Sequence, residues 1–498
     1  MKRFLGAMNR LALALLAATM AAILVSAPAN AQRRDKALEA ALMAHVTELA
    51  SDAYEGREPG TEGEAKTLRY LGRQWFDIGL ESGTNDPANA WFAPVRLVAR
   101  EPASSTAAFS RKGRRLFVPP GSIEVFTSGK RTLLENAPVL FLGRGVEDAG
   151  RAELAGRVAL LLDDGRDNSD RQNALLKAGA AAVMTVLDGD RTLEQVKARR
   201  GRSGYALATE ELGGDLEAFI TAEGLDRVLA DSGVTLASLT ALAAEPGFAP
   251  RPVDLTVTLE ATTRETRINT HNVIARLPGR RPEAGAVLLL AHWDHFGRCA
   301  EDAAENQICN GAIDNASGLA ALTEIARRLA DGPQLDRDVY FLATTAEEIG
   351  LLGAHAFAEN PPLPLSQIVA AFNIDSFALA PRGTPLGIVG RGLTPLDDGI
   401  MAVAKAQKRK VVPGNAANAY IQRQDGWALL GHDVPTVMVS SSWSDLARVE
   451  RFFETDYHRP TDQVKPGLDL SGTAEDVAFH VALVRHFADP KKVPSPAK

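Results

Sequence analysis

Residues 285–297 read GAVLLLAHWDHFG. Ala286 to Ala291 are apolar without a break, and the run gives way at His292 to a polar cluster containing Asp294 and His295. Alternating polarity would mark a half-wet strand, whereas an unbroken apolar run bounded by glycines marks one buried on both faces. The pattern returns downstream. FLATTAEEIGLLG (341–353) ends its apolar run at Thr344 and Thr345 and then sets Glu347 beside Glu348. IVAAFNIDSFA (368–378) reaches Asp375, and VPTVMVSSS (434–442) ends in serines. Amphipathic patterns such as GLAALTEIARRLAD (318–331) lie between these runs. The alternation predicts an α/β fold with a mixed central sheet flanked by helices on both faces. Open sheets of that kind present ligands outside the carboxyl ends of their strands, which is where these polar residues fall.

Working outward, residues 37–80 read as helix, loop, helix, with EGREPGTEGE as the Gly- and Pro-rich link. Residues 36–106 are expected to form the first part of the main domain and 253–490 the second. The intervening 107–252 has a different character: short β-like runs (APVLFLG, GRVALLLDDG, AAAVMTVLD), Gly-rich turns, and a helical DRQNALLKAGA closing at Gly179. It carries no cluster of His, Cys and carboxylates, so a structural or substrate-gating role is expected of it. VDLTVTLEATTRETRINTHNVIARLPG (253–279) alternates strongly and reads as two strands joined by a polar turn. A short disordered tail is expected over 491–498.

The first 31 residues have Lys2, Arg3 and Arg10, an apolar LALALLAATMAAILV, and ANA ending at Ala31. A positive end, a short apolar segment and a small-x-small site describe a cleaved signal peptide, and about 15 apolar residues fall short of the ~20 that span a bilayer. An exported protein, periplasmic or secreted and free of the membrane after cleavage, is the expectation. Loss of the leader's three cations takes the formal charge from −7 to −10. With no basic stripe in the chain, a nucleic-acid partner is disfavoured. The two cysteines, Cys299 and Cys309, are expected to form a local disulfide in an exported protein, with thiolate ligation of a metal as the alternative.

The residues at the predicted strand ends are His292, Asp294, Asp314, Glu347, Glu348, Asp375 and His458. Singly, each has an ordinary explanation: an N-cap, a turn, a first-turn acid facing a helix dipole. Jointly, they form a hard, borderline N/O ligand set, with Arg459 beside His458 as the one basic residue in these motifs, which suits zinc ahead of manganese or cobalt. If His292 and Asp375 hold one ion, Glu348 and His458 the other, and Asp314 spans both, three carboxylates and two divalent ions leave a single positive charge. A bridging hydroxide would neutralise it.

AHWDHFG, GAIDNASG, TTAEEIGLLGA, FNIDSFA and YHRPTDQ resemble, in order and spacing, the motifs of the di-zinc aminopeptidases of metallopeptidase family 28. The resemblance covers roughly 40–100 and 260–490, and the middle segment is similar to the smaller β-rich protease-associated domain inserted in many members. It implies a zinc-exopeptidase-like fold, two Zn2+ ions per chain, and peptides or protein N-termini as substrates. By the same resemblance His292 and Asp375 match ligands of one zinc, Glu348 and His458 those of the other, and Asp314 the bridging carboxylate. Glu347 matches the general base, Asp294 the residue that orients His292, and Tyr457 a tyrosine that steadies the oxyanion. Glu347 with Asp375 would hold a free α-ammonium. Where many members have Ser-Asp-His, this chain reads RQDGWALLG: Asp425 is kept and Gly426 replaces the histidine. His295 has no role in this scheme. Related folds host carboxypeptidase, dipeptidase and glutaminyl-cyclising activities, and some are binding receptors that have lost ligands, whereas here every ligand position is filled.

A Cys299–Cys309 disulfide would cinch the loop between His292 and Asp314 and so pre-order the site. Reduction should therefore weaken metal retention in a chelator competition; unchanged retention by protein with a verified bond would leave the disulfide a purely local role.

Overall fold

The computed structural model describes residues 34–494, except 145–148, 164–168, 188, 190, 202–203, 211–212 and 301–304. The leader expected over 1–31 and the last four residues of the expected tail lie outside the described residues. Among those described, no helix is long and apolar enough to cross a membrane.

Four parallel strands form the centre of the main sheet, in the order Thr436–Ser440, Ile368–Asn373, Ala286–His292 and Asp338–Thr344. Antiparallel strands flank them, Gly387–Val389 on one side and Arg251–Leu277 on the other. The four central strands are buried at every position, as their unbroken apolar runs require. Alternate residues feed opposite faces. Val287, Leu289, Ala291, Val339 and Phe341 pack under helices Lys36–Leu49, Glu62–Ile78, Ser317–Ala330 and Ser471–Phe487. Leu288, Leu290, Tyr340 and Leu342 meet Phe357 and Leu429, which belong to Leu352–Glu359 and Gly426–Leu430. The expected α/β architecture, a mixed sheet with helices on both faces, is what the structure shows.

The two-strand reading of 253–279 does not hold. Arg251–Leu277 is one continuous strand, paired antiparallel with Phe92–Arg111 from Val273 opposite Phe92 to Thr256 opposite Ser110. The polar stretch that looked like a turn stays extended because its partner strand answers its charges. Arg264 pairs with Glu101, and Glu265 with Arg100 Nε at 2.8 Å. The irregularity is confined to a register shift between Thr262 and Thr263.

These two strands are arms that carry the main sheet into the middle segment, and the boundaries expected near 107 and 252 fall inside them. Beyond them, Arg131–Phe141, Val158–Leu162, Ala182–Leu187 and Leu216–Thr221 continue the sheet in parallel, with Ile123–Thr127 as an antiparallel edge. This segment has its own core, in which Phe109, Leu160, Met184, Ile220, Leu225 and Val257 are buried.

A buried cation closes the end of the main sheet opposite the strand-end residues. Arg337, just before strand Asp338–Thr344, donates to the carbonyls of Ala284 at 2.8 Å, Phe487 at 2.6 Å and Val493 at 2.7 Å. Arg337→Met keeps the bulk and strands three carbonyls, which should cost about 3 kcal/mol and lower the thermal midpoint by several degrees. A midpoint equal to that of the parent chain would show that the cation does not hold this end together.

Candidate metal centre

All the strand-end residues picked out by sequence converge at one edge of the main sheet. His292 is the last residue of its strand, Glu347 and Glu348 lie in the turn after Asp338–Thr344, and Asp375 follows Ile368–Asn373 by two residues. Asp314 sits in the wide turn Ala312–Ala316 that leads into helix Ser317–Ala330. His458 lies just beyond helix Leu446–Thr455 with a left-handed φ of 58°.

Asp314 is at the middle. Its Oδ1 is 3.2 Å from His292 Nε2 and its Oδ2 is 3.5 Å from His458 Nε2, so one carboxylate faces two imidazoles with its two oxygens. His292 Nε2 is also 3.6 Å from Asp375 Oδ1, and His458 Nε2 is 2.8 Å from Glu348 Oε2. Potential ligand atoms of His292, Glu347 and Asp375 lie within 4.8 Å of one another, as do those of His292, Asp314 and Glu348.

The surrounding shell explains the local folding. Asp294 is fully buried and accepts from two consecutive amides, Glu347 N at 3.1 Å and Glu348 N at 3.4 Å, which fixes the turn carrying both glutamates. The carbonyl of Asp294 faces His292 Nδ1 at 3.2 Å, while its carboxylate is farther, at 3.9 Å. Tyr457 stacks its ring on His458, with centroids 3.5 Å apart. Cys299 and Cys309 are disulfide-bonded, with Cα atoms 5.8 Å apart, in the loop between His292 and Asp314. Asp425 accepts from the Thr344 hydroxyl, and a Cβ at Gly426 would lie 2.6 Å from Gln424 Oε1 and Thr436 Cγ2, so histidine has no room there.

Three supporting residues were not identified from sequence. His295 pairs through Nδ1 with Glu348 Oε1, which orients that carboxylate. Asp462 is buried and accepts from Ile313 N at 3.0 Å and Asp314 N at 3.0 Å, which holds the central carboxylate by its backbone. Arg57 is buried and donates to the carbonyls of Trp293, Leu49, Asn310 and Gly311. Asp462 and Arg57 lie inside motifs that the sequence reading quoted, YHRPTDQ and EGREPG, but nothing in those strings reveals burial.

The electrostatics call for positive charge. Burial holds Glu347 well above the usual carboxylate range against the pull of His292, and Glu348, Asp425 and Asp375 add like-charge repulsion. Burial likewise lifts Asp375, takes Asp294 to about 6 and takes Asp425 to about 7. Burial would depress both imidazoles, yet the carboxylates outweigh it: His292 stands well above its ordinary value and His458 rises to about 9. Left to itself, this cluster takes up protons to limit repulsion.

A divalent cation fits the residues present. Asp314 Oδ2 and His458 Nε2 are buried atoms that face each other and Glu348 without a well-aligned hydrogen bond among the described residues, and the donor set is imidazole nitrogen and carboxylate oxygen. The residues placed to hold it are His292 and Asp375 on one side of Asp314, and Glu348 and His458 on the other.

Residues 272–482 match the sequence profile described as Peptidase family M28. Over 102 residues the chain is 33% identical to the alkaline phosphatase isozyme conversion protein of Escherichia coli (strain K12), a match spanning 19% of this chain and 29% of that relative's length. An aminopeptidase from Aneurinibacillus sp. strain AM-1 superposes with a TM-score of 0.55 at 19% identity, covering 92% of this chain and 94% of the other, and so shares the fold. A zinc aminopeptidase from Bacillus subtilis aligns over 92% of this chain and 97% of its own at 17% identity, with a TM-score of 0.45.

Replacing Asp462 by alanine removes the acceptor from the Ile313 and Asp314 amides. Outer supports of this kind typically contribute 10–100-fold in metal affinity, so Asp462→Ala should bind zinc about 10–100-fold more weakly in a chelator competition. Parent-like affinity in a folded variant would remove Asp462 from the support of the centre.

Proposed function

We propose, from the premise that this chain belongs to peptidase family M28 through its domain at residues 272–482, that it is an exported di-zinc aminopeptidase that removes N-terminal residues from peptides. The observation that carries the reading is Asp314 facing His292 with one oxygen and His458 with the other. Each side is completed by a further carboxylate, Asp375 or Glu348. The direction of trimming rests on the resemblance of the motifs to the di-zinc aminopeptidases, since the fold itself is shared by peptidases of other specificities. Export rests on the leader-like N-terminus of the sequence alone, and a protease-associated identity for the middle segment on its resemblance.

His292, Asp375, Asp314, Glu348 and His458 would hold the ions. Two divalent ions held there would act as Lewis acids on the scissile carbonyl and raise the acidity of the attacking water. Glu347 is the residue for the proton. It is fixed by its backbone amide on Asp294, it is close to His292 and Asp375, and burial raises the proton affinity of its carboxylate. It would take the proton of the attacking water and pass it to the departing amine. Tyr457, whose ionisation is suppressed by burial and by Asp314 and Glu348, stays a hydroxyl that can donate to the developing oxyanion. The carboxylates of Glu347 and Asp375 would receive the substrate's α-ammonium.

Elemental analysis of the purified protein, followed by hydrolysis of aminoacyl-anilides with and without chelator, tests the proposal. Glu347→Gln should retain both metals and lose at least about 100-fold in kcat, whereas Asp314→Asn should deplete both. Full turnover by Glu347→Gln would end its assignment as base, and a metal-replete parent inactive on aminoacyl-anilides but active on C-terminal residues would replace aminopeptidase by carboxypeptidase.

A further inference from the structure

The turn that carries Glu347 and Glu348 is an unfavourable piece of backbone. Ala346 and Leu351 have φ of 54° and 57°, and a left-handed residue with a Cβ costs roughly 1–2 kcal/mol. Such a conformation persists only where its surroundings over-determine it. From within the main domain, Asp294 holds the turn through the two glutamate amides. His295 and His458 meet the Glu348 carboxylate, and further restraints come from the arms and the middle segment.

Thr345 N donates to Asn272 Oδ1 at 3.0 Å, its hydroxyl meets that of Thr270 at 2.6 Å, and Asn272 Nδ2 donates to Gly353 O at 2.8 Å. Thr270 and Asn272 belong to the arm Arg251–Leu277. Ala346 and Leu352, at 0% and 7% exposure, form a small core with Val95 and Leu97 of the other arm and with Leu207. Tyr205, Ile268, Ile349 and Ala356 flank it. Tyr205 and Leu207 lie on Gly204–Leu207, a strand of the middle segment that pairs with the arm, Leu97 opposite Leu207 and Ala99 opposite Tyr205. One apolar cluster therefore joins the middle segment to the residues on either side of the glutamate pair.

We infer that strand Gly204–Leu207 is a clamp on this turn, and that Leu207, with Tyr205, is a positioning residue for Glu347 and Glu348. The inference rests on the reading of Glu347 as the base. The middle segment then does more than gate substrate: it completes the catalytic geometry from about 140 residues away in sequence. Each acts through the turn rather than on the reacting atoms.

The test compares equal truncations at two buried leucines of the same segment. Leu207 faces the turn, and Leu225 lies in the segment's own core, remote from it. In the full-length protein, Leu207→Ala should speed hydrogen exchange at amides 346–352 and lower kcat about tenfold with KM within twofold, since small misplacements of a catalytic group are costly. Leu207→Ile should restore both. Leu225→Ala should lower the unfolding midpoint and leave exchange at 346–352 and kcat unchanged. Should Leu207→Ala not fold, the half-buried Tyr205→Ala is expected to move the same two readouts in the same direction. Unaltered exchange at 346–352, or an equal fall in kcat from the Leu207 and Leu225 truncations, would overturn the clamp. An inactive, metal-loaded parent would instead sink the peptidase reading, while the exchange comparison still decides whether the clamp exists.

Discussion

The site depends on accommodating a group of carboxylates that the fold itself has buried together. Asp294, Asp314, Glu347, Glu348, Asp375, Asp425 and Asp462 all lie at one end of the main sheet, where the ends of the parallel strands and the turns beside helices bring them together. Taking so many anions out of water is costly unless cations meet them. The protein supplies one cation permanently, from behind. Arg57 spends its donors on four backbone carbonyls, and its charge faces Asp462, Asp314, Asp294 and Glu348. Burial pulls the guanidinium down to about 10, still charged at any physiological pH. The cations at the front are those proposed to be bound. Arg57 thereby links the electrostatics to the topology: Leu49 belongs to the first helix, Trp293 follows a central strand, and Asn310 and Gly311 lead into the Asp314 turn. Three distant segments are tied at the point where charge is densest.

The continuity of the two arms gives the middle segment its hold on this site. An insert hung on flexible linkers would have no mechanical purchase on the main domain. Here the strands Phe92–Arg111 and Arg251–Leu277 pass from one core to the other without losing their pairing. Cross-strand ion pairs keep the exposed span extended where no core supports it. The same arm that pairs with strand Asp338–Thr344 contributes Thr270 and Asn272 to the glutamate turn that follows it.

What was legible in the sequence followed from one-dimensional signals. Central strands are buried on both faces, so their apolar runs are unbroken and their ends abrupt, and the first polar residue past each end points to the site. That rule reaches His292, Asp294, Glu347, Glu348 and Asp375. Asp314 and His458, expected at strand ends with the others, lie instead on turns beside helices, where an apolar run does not announce them. Arg57, His295 and Asp462 stayed hidden because their significance lies in burial and in partners far off in the chain: 148 residues separate Asp462 from Asp314, and 253 separate Arg57 from Asn310. The strand over 251–277 was misread for a related reason. Local polarity argued for a turn, and the charges that keep the chain extended sit on another strand.

Gly426 shows how a departure from the family's pattern can be absorbed without disturbing the centre. The space a side chain would need is already occupied. Gln424 is buried, accepts from Gly426 N at 2.8 Å and donates to Ile421 O at 3.1 Å, and its Oε1 stands 2.6 Å from where a Cβ at 426 would be. Gln424 fills this space with its hydrogen bonds turned onto the backbone, and helix Gly426–Leu430 lies close against Thr436. Asp425, between the two, keeps its place on the Thr344 hydroxyl at the end of the strand that leads to Glu347. The exchange therefore alters the wall beside the site and leaves intact the carboxylate that borders it.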